Sequence, residues 1–190
     1  MNIDNAALIV IDVQNGFITP DSAPVVPVVD NLIRSWAPSG QPIVITRFAN
    51  YPNSPYERHI GWTALQSPEE IAVVDELAPH LELPNVTVID KQIYSAFTPE
   101  TITALRDLAV TDVILCGIAT DACVLKSALD AFELGWTPWV VRDAVASNAT
   151  RHRADQVHEA ALLIIGRSVG AGQIITSTEV LNALNGHSTS

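Results

Sequence analysis

Short apolar runs alternate along this chain with segments whose apolar residues recur at helical spacing. A continuous run of four to six apolar residues is typical of a strand buried on both faces of a parallel sheet. We expect Ile174 and Ile175 to extend such a sheet. The apolar runs predict six strands, at residues 6–12, 42–47, 85–90, 113–116, 137–141 and 162–165.

The intervening segments predict helices, because their apolar residues fall three and four positions apart. They lie at residues 28–36, within 69–81, and at 98–108, 123–134, 149–161 and 179–184. Alternating strands and helices favour an α/β fold with a doubly wound, mainly parallel six-stranded sheet and helices on both faces. At 190 residues, we expect a single domain over residues 1–190.

The composition and net charge of the chain indicate which kinds of binding partner to expect. The chain is 48% hydrophobic and carries a formal net charge of −11, with no basic run. Nucleic acids and anionic membranes are therefore not expected as partners, and the apolar runs are too short to span a membrane. The N-terminal residues lack the basic region of a signal peptide, which favours a cytoplasmic location. A small molecule remains the expected partner.

One cysteine stands at a position that favours reactivity. Gly117 follows the fourth strand, and the predicted helix begins near Cys123, with Thr120 as the expected N-cap. Free N–H groups and a nearby lysine at a helix N-terminus favour a thiolate, and such N–H groups can also hold an oxyanion. The alternative is a cysteine that only fills the core, which is the interpretation given to Cys116.

Two charged residues also follow predicted strands. Asp12 ends the first strand and Lys91 follows the third. Because the carboxyl ends of parallel strands share one edge of the sheet, these residues can meet Cys123 there. The alternatives are an aspartate that caps a turn and a solvated lysine at a strand end.

Residues 48–67 form a long, aromatic-rich segment without a clear repeat. Such loops are usually functional, and we interpret this one as covering a substrate, with a subunit contact as the alternative. Arg47 and Arg58 are candidates to hold a substrate carboxylate or to form surface ion pairs. The expected pocket residues, each of which could instead lie in the core or an interface, are Phe17, Asn50, Tyr51, Trp62, Tyr94 and Phe97.

A second motif competes with the cysteine. Residues 166–170 match the Gly-x-Ser-x-Gly nucleophile elbow around Ser168. Too few residues follow it to supply the remaining strands and triad partners of that fold, so we interpret the match as accidental. His152 and His158 are interpreted as surface residues of a helix.

Three segments together resemble the isochorismatase-like cysteine hydrolases, which include nicotinamidases and N-carbamoylsarcosine amidohydrolases. They are ALIVIDVQNGF at 7–17, DKQIYSAF at 90–97 and GIATDACV at 117–124. The resemblance implies Asp12, Lys91 and Cys123 as the catalytic set and the backbone N–H groups of Ala119 and Cys123 as the oxyanion hole. It also implies a cis peptide bond between Ile118 and Ala119.

The resemblance implies a hydrolase that cleaves a C–N bond of a small amide or ureide through a thioester, without a cofactor. Residues 47–50 lack the Asp-x-His pair of metal-dependent nicotinamidases, so no metal is expected and nicotinamide is less favoured. Cys123 disfavours isochorismatase chemistry. A catalytically silent binding or scaffold protein of the same fold remains the alternative. Relatives are commonly dimers or tetramers, so a homo-oligomer is expected by analogy.

Overall fold

Six parallel strands form one sheet in a computed structural model that describes residues 1–187. The strand order is β3-β2-β1-β4-β5-β6, so the fold class predicted from the sequence is confirmed. The predicted domain also includes residues 188–190, which lie outside the described part. The strands are β1 Ala6–Ile11, β2 Ile43–Phe48, β3 Val86–Lys91, β4 Asp112–Ile118, β5 Thr137–Ala146 and β6 Ile174–Ile175.

Seven helices connect or flank these strands within the described residues. The Thr-Pro pair at residues 98–99 predicts a helix start. Thr98 is the N-cap of α4, and its side chain accepts a hydrogen bond from the Thr101 N–H. The helices are α1 Val25–Trp36, α2 Pro55–Ile60, α3 Pro68–Ile71, α4 Pro99–Asp107, α5 Leu125–Glu133, α6 Ala154–Val169 and α7 Ser177–His187.

Strand β1 lies in the middle of the sheet and is fully buried. Leu8 and Val10 face a core that contains α1 and α7, whereas Ile9 and Ile11 face a core that contains α4, α5 and α6. Because successive side chains of a strand point to opposite faces, a continuous apolar run can fill both cores at once. The helices therefore cover both faces of the sheet.

The prediction of a sixth strand at residues 162–165 is wrong. These residues lie inside α6, and the sixth strand is β6, which pairs with β5. Leu162 and Ile165 face the core while Leu163 and Ile164 are exposed, which is the pattern of one helix face. A run of four apolar residues cannot by itself distinguish a strand from a helix turn.

The position of Ser168 also excludes a nucleophile elbow. Ser168 lies near the end of α6, so no strand precedes it. The Gly-x-Ser-x-Gly match is accidental, as expected.

No helix in residues 1–187 is both long enough and apolar enough to cross a membrane.

Candidate active site

The candidate site lies where the strand order reverses, at the carboxyl ends of β1 and β4. These two strands are neighbours, and the chain proceeds outward from them in opposite directions. Crevices at such positions are the usual ligand sites of open α/β sheets. Asp12 follows β1, and Cys123 follows β4 after a short turn. Lys91, the last residue of β3, reaches the same place from two strands away.

Asp12, Lys91 and Cys123, called here the charged cluster, meet in the protein interior. Lys91 Nζ lies 2.6 Å from Asp12 Oδ2 and 3.8 Å from Cys123 Sγ. The Asp12 and Lys91 side chains are completely buried. Burial of both charges is tolerated only when their remaining donors and acceptors are satisfied.

Neighbouring groups meet that requirement. Lys91 also donates to the carbonyls of Ile93 and Tyr94, at 2.9 Å and 3.1 Å, and the Thr46 hydroxyl donates to Asp12 Oδ1 at 2.7 Å. The cluster is therefore held rigidly. Asp12 has a left-handed backbone, with φ of 52°, a conformation that aspartate tolerates better than most residues.

Cys123 lies in a single π-helical turn, Thr120–Val124, directly before α5. Burial raises the pKa of its thiol, and the Asp12 carboxylate raises it further, while Lys91 and the Ala119 N–H act in the opposite direction. Burial thus opposes the thiolate that the turn and the lysine were expected to favour. The sulfur is almost completely enclosed, and loss of hydration outweighs the nearby positive groups.

The Asp12 carboxylate is close enough to raise the pKa of the thiol, and Lys91 Nζ lies between them, 2.6 Å from Asp12 Oδ2 and 3.8 Å from Cys123 Sγ. Cys116 provides the contrast: it is fully buried inside β4, and burial alone raises the pKa of its thiol. Within residues 1–187 no charged group contributes to this shift, so Cys116 remains interpreted as a packing residue.

The turn that carries Cys123 begins with a cis peptide bond between Ile118 and Ala119. The Ala119 carbonyl accepts hydrogen bonds from the N–H groups of Ala122 and Val124, at 3.1 Å and 3.0 Å. Thr120 was expected to cap the helix, but it is the first residue of the π-helical turn, whose N-cap is Ala119. Its hydroxyl lies instead 2.9 Å from His158 Nδ1 on α6.

Gly117, just before this turn, cannot be replaced without disturbing β1. Its φ is +117°, and a Cβ atom there would lie 2.0 Å from the Ile11 carbonyl oxygen. Only glycine permits both this backbone conformation and this approach. It brings the end of β4 against the end of β1, next to Asp12.

A cavity of about 510 Å³ opens above the charged cluster, and Cys123 lines it. Three of the residues predicted for a substrate pocket, Phe17, Trp62 and Tyr94, line this cavity. Asn50, Tyr51 and Phe97 are not among its lining residues.

Asn50 instead holds its own loop together. Its amide donates to the carbonyls of Trp62 and Ala64, and its side-chain oxygen accepts from the Tyr51 N–H. Tyr51 is exposed, and Phe97 is buried in the core, stacked on Trp136 at a centroid distance of 5.2 Å. These three side chains therefore do not line this cavity, and residue type alone does not show which way a loop side chain points.

Five rings that contact one another form one side of the cavity, and we call them the aromatic wall. Trp62 stacks on Phe17, and Tyr56 makes edge contacts with both Phe48 and Tyr94. Burial raises the pKa of Tyr56 to about 12 and also raises that of Tyr94, so both phenols stay protonated at neutral pH. The wall consists of Phe17, Phe48, Tyr56, Trp62 and Tyr94.

Sequence reasoning missed two of these rings and the opposite side of the cavity. Phe48 is the last residue of β2, and its position at a strand end was a usable signal. Tyr56 belongs to the aromatic segment already singled out. Residues 148–152, which contain Arg151 and His152, also line the cavity, and no pattern in that stretch indicated it.

The segment 48–67 lines the cavity with Phe48, Tyr56, Ile60, Gly61 and Trp62. That it covers a substrate stays a prediction. Arg47 lies outside and forms a two-point ion pair with Asp90, at 2.6 Å and 2.9 Å. Arg58 is exposed on α2 and is likewise absent from the cavity lining.

The residues that follow β2 do not fit a metal centre. The Phe48 ring is part of the aromatic wall and the Asn50 amide is committed to backbone carbonyls. Residues 1–187 contain no group of three or more His, Cys, Asp or Glu side chains that could hold a metal ion.

Comparison with known proteins identifies the family. The isochorismatase domain matches residues 6–178 of the chain, and the chain therefore belongs to the isochorismatase family, with the hydrolase fold of that family.

Individual proteins of known name share about a quarter to a third of their aligned residues with this chain. A secreted isochorismatase effector, Isc1, of Phytophthora sojae is 34% identical over 114 residues, and the match covers 57% of this chain but only 49% of that protein. The nicotinamidase PncA from Bacillus subtilis superposes with a TM-score of 0.78 at 26% identity, covering 90% of this chain and 99% of that one. The N-carbamoylsarcosine amidase from Thermoplasma acidophilum gives 0.75 at 27% identity, covering 91% and 96%.

Proposed function

We propose that this protein is a cysteine hydrolase that cleaves a C–N bond of a small amide or ureide through a thioester on Cys123. The observation that supports the proposal is the convergence of a thiol, a carboxylate and an ammonium group beside one cavity. A nucleophile in contact with a proton acceptor that is itself held by a third group is the arrangement that covalent catalysis requires. The similarity to an amidase and to a nicotinamidase supports the same bond class.

The first half of the proposed reaction forms the thioester. Asp12 takes the Cys123 proton as the sulfur attacks the carbonyl carbon of the substrate, and the C–S bond forms. Asp12 then gives this proton to the leaving nitrogen as the C–N bond breaks. A raised thiol pKa fits this order, because the proton leaves when the substrate is bound rather than in the resting protein.

The second half regenerates the thiol. Asp12 takes a proton from a water molecule, whose oxygen attacks the thioester carbonyl and yields the carboxylic or carbamic acid. The C–S bond breaks and the sulfur recovers the proton from Asp12. Lys91 holds the Asp12 carboxylate in place in both halves, since its ammonium group is fixed by that carboxylate and two backbone carbonyls.

The negative oxygen of each tetrahedral intermediate is proposed to bind to the backbone N–H groups of Ala119 and Cys123. Both residues line the cavity, and the Ala119 N–H is close enough to the sulfur to influence its titration. One such donor typically contributes about 3–4 kcal/mol to lowering the barrier.

A screen of small amides and ureides for release of ammonia and of the acid product tests the proposal. We expect turnover by the native protein, a loss of at least about 10³-fold in Cys123→Ala, and unchanged turnover in the matched variant Cys116→Ala. Far-ultraviolet circular dichroism should show that all three proteins are folded.

Two outcomes would overturn this assignment. Turnover that survives in Cys123→Ala would exclude the thioester. Absence of turnover on every amide and ureide, together with binding of the same compounds, would favour the catalytically silent alternative. A vinyl ether substrate in the same screen covers isochorismatase chemistry.

A further inference from the structure

A side-chain bond joins the turn that carries Cys123 to the neighbouring helix α6. The Thr120 hydroxyl oxygen lies 2.9 Å from His158 Nδ1, across 38 positions of sequence. Thr120 is completely buried and His158 is half-buried. Neither side chain lines the cavity of the charged cluster, so the bond acts on the turn and not on a bound molecule.

The same turn is anchored on its other side. The Ser127 hydroxyl donates to the Cys123 carbonyl at 2.6 Å and accepts the Ala96 N–H at 2.8 Å. Thr120 and Ser127 thus attach the start of the turn and the following helix to two different parts of the protein. Between these attachments lies Cys123, and directly before Thr120 lies the Ala119 N–H.

We propose that His158 is a positioning residue, whose neutral imidazole accepts the Thr120 hydroxyl proton and so fixes the Ala119 N–H and the Cys123 sulfur for attack. The inference rests on the function proposed above, because it assigns His158 a part in that reaction. A sub-ångström error in the placement of reacting groups is enough to slow an enzyme substantially.

The protonation state of His158 then matters. Burial lowers the pKa of His158, so the ring is neutral at neutral pH and Nδ1 can accept. When pH falls through that lowered pKa, Nδ1 gains a proton and can only donate, so the bond must reverse: the Thr120 oxygen becomes the acceptor and its hydroxyl proton loses the His158 partner. We therefore expect kcat to fall at acidic pH when His158 gains a proton, in addition to any loss caused by protonation of the Asp12 carboxylate.

Charged groups on several elements face this histidine. Asp121 in the turn and Glu159 on α6 favour its charged form, whereas Arg142 on β5 disfavours it. Asp21 and Asp155 line a second cavity, of about 210 Å³, together with His158. None of these charged groups hydrogen-bonds the ring in the described structure. Protonation of Nδ1 therefore changes the hydrogen bond to Thr120 directly.

Paired substitutions separate positioning from packing. In His158→Asn, the amide oxygen occupies the place of Nδ1, accepts from Thr120 and cannot titrate. His158→Leu fills similar space without an acceptor. Thr120→Ser keeps the hydroxyl and Thr120→Val removes it with little change of shape. His59→Asn, at an exposed position on α2, is the matched histidine control.

We expect His158→Leu and Thr120→Val each to lower kcat by about tenfold while KM stays within about twofold, because neither residue lines the cavity. His158→Asn and Thr120→Ser should restore most of kcat, and His158→Asn should lack the acid-side loss attributed to His158. The double variant Thr120→Val/His158→Leu should be no slower than the slower single variant, since both remove one bond.

The inference is overturned if His158→Leu keeps the native kcat and pH profile, if His158→Asn is as slow as His158→Leu, or if the two losses multiply. Labelling of Cys123 by iodoacetamide provides a readout that needs no turnover: its rate should change in the Leu and Val variants and not in His158→Asn. Native protein that hydrolyses nothing would overturn the proposed function, whereas unchanged labelling in all variants would overturn the positioning role alone.

Discussion

The charged cluster reaches the cavity through Cys123, the aromatic wall lines the same cavity, and the two are built in different ways. Asp12 and Lys91 stand at or directly after a strand end, so the register of the sheet fixes their positions, and Cys123 is held in the π-helical turn that follows β4. The wall is drawn largely from segment 48–67 and the turn after β3, and its rings are placed by their contacts with one another. The cluster is rigid because Asp12 and Lys91 are anchored on the sheet, whereas most of the wall depends on how segments outside the sheet pack on one another.

This difference separates the chemistry of the site from its specificity. Side chains at strand ends can be held to a fraction of an ångström, which proton transfer and nucleophilic attack require. Loop side chains can be exchanged without disturbing the sheet, which suits them to selecting a substrate. Substitutions in the cluster should therefore abolish turnover, and substitutions in the wall should change which molecule binds.

The largest effect is expected from Lys91→Met. Removing one partner of a completely buried ion pair leaves the Asp12 carboxylate without its counter-charge, which typically costs about 3–5 kcal/mol of folding stability. Turnover should also be lost, because Asp12 would no longer be held beside the sulfur. Denaturant unfolding and the amide screen measure the two consequences.

The double variant Asp12→Asn/Lys91→Met is the control for that experiment. It removes both charges, so most of the lost stability should return while turnover remains absent. Native-like turnover in Lys91→Met would show that the cluster is not the reacting centre. Equal instability of the single and double variants would mean that packing, not charge, holds these residues together.

Sequence patterns predicted the cluster well because they report strand ends directly. The run before Asp12 is a continuous apolar segment, and the segment before Lys91 is rich in β-branched residues. Both end on charged residues, and the parallel arrangement brings such ends to one edge. The same reasoning failed at residues 162–165, where α6 presents Leu162 and Ile165 to the core and a short apolar run carries no information about its period.

The wall could be predicted only in part. An aromatic-rich loop indicates a cavity but not which of its side chains line it. The Asn50 amide bonds to its own loop, Tyr51 is exposed to solvent, and Phe97 packs on Trp136 in the core. The raised pKa of the Cys123 thiol could not be predicted from the sequence either, because it depends on how completely the surrounding loops exclude water from the sulfur. These properties arise from contacts between distant segments, which no local pattern records.

A comparison of Trp62→Leu with Phe97→Leu tests the wall directly. Trp62 stacks on Phe17 and lines the cavity, so its loss should raise KM by about tenfold, equivalent to about 1.4 kcal/mol of aromatic contact. Phe97 is of similar character but lies in the core, so Phe97→Leu should lower stability by about 1–3 kcal/mol and leave KM unchanged. Reversed effects would place the substrate elsewhere.

The smallest effect concerns the resting thiol, and it tests whether burial or charge dominates in the cluster. Since burial raises the pKa of Cys123, the thiolate fraction at neutral pH is small, and the rate of iodoacetamide labelling should rise about tenfold per pH unit between pH 6 and 8. Cys116, which is fully buried in β4, should remain unlabelled until the protein unfolds. The two sites are distinguished by mass spectrometry of peptides after a timed quench. A labelling rate that levels off below pH 7 would mean that Lys91 already stabilises a Cys123 thiolate in the free protein. The thiol would then lose its proton before the substrate binds. Asp12 would transfer protons only to the leaving nitrogen and from water.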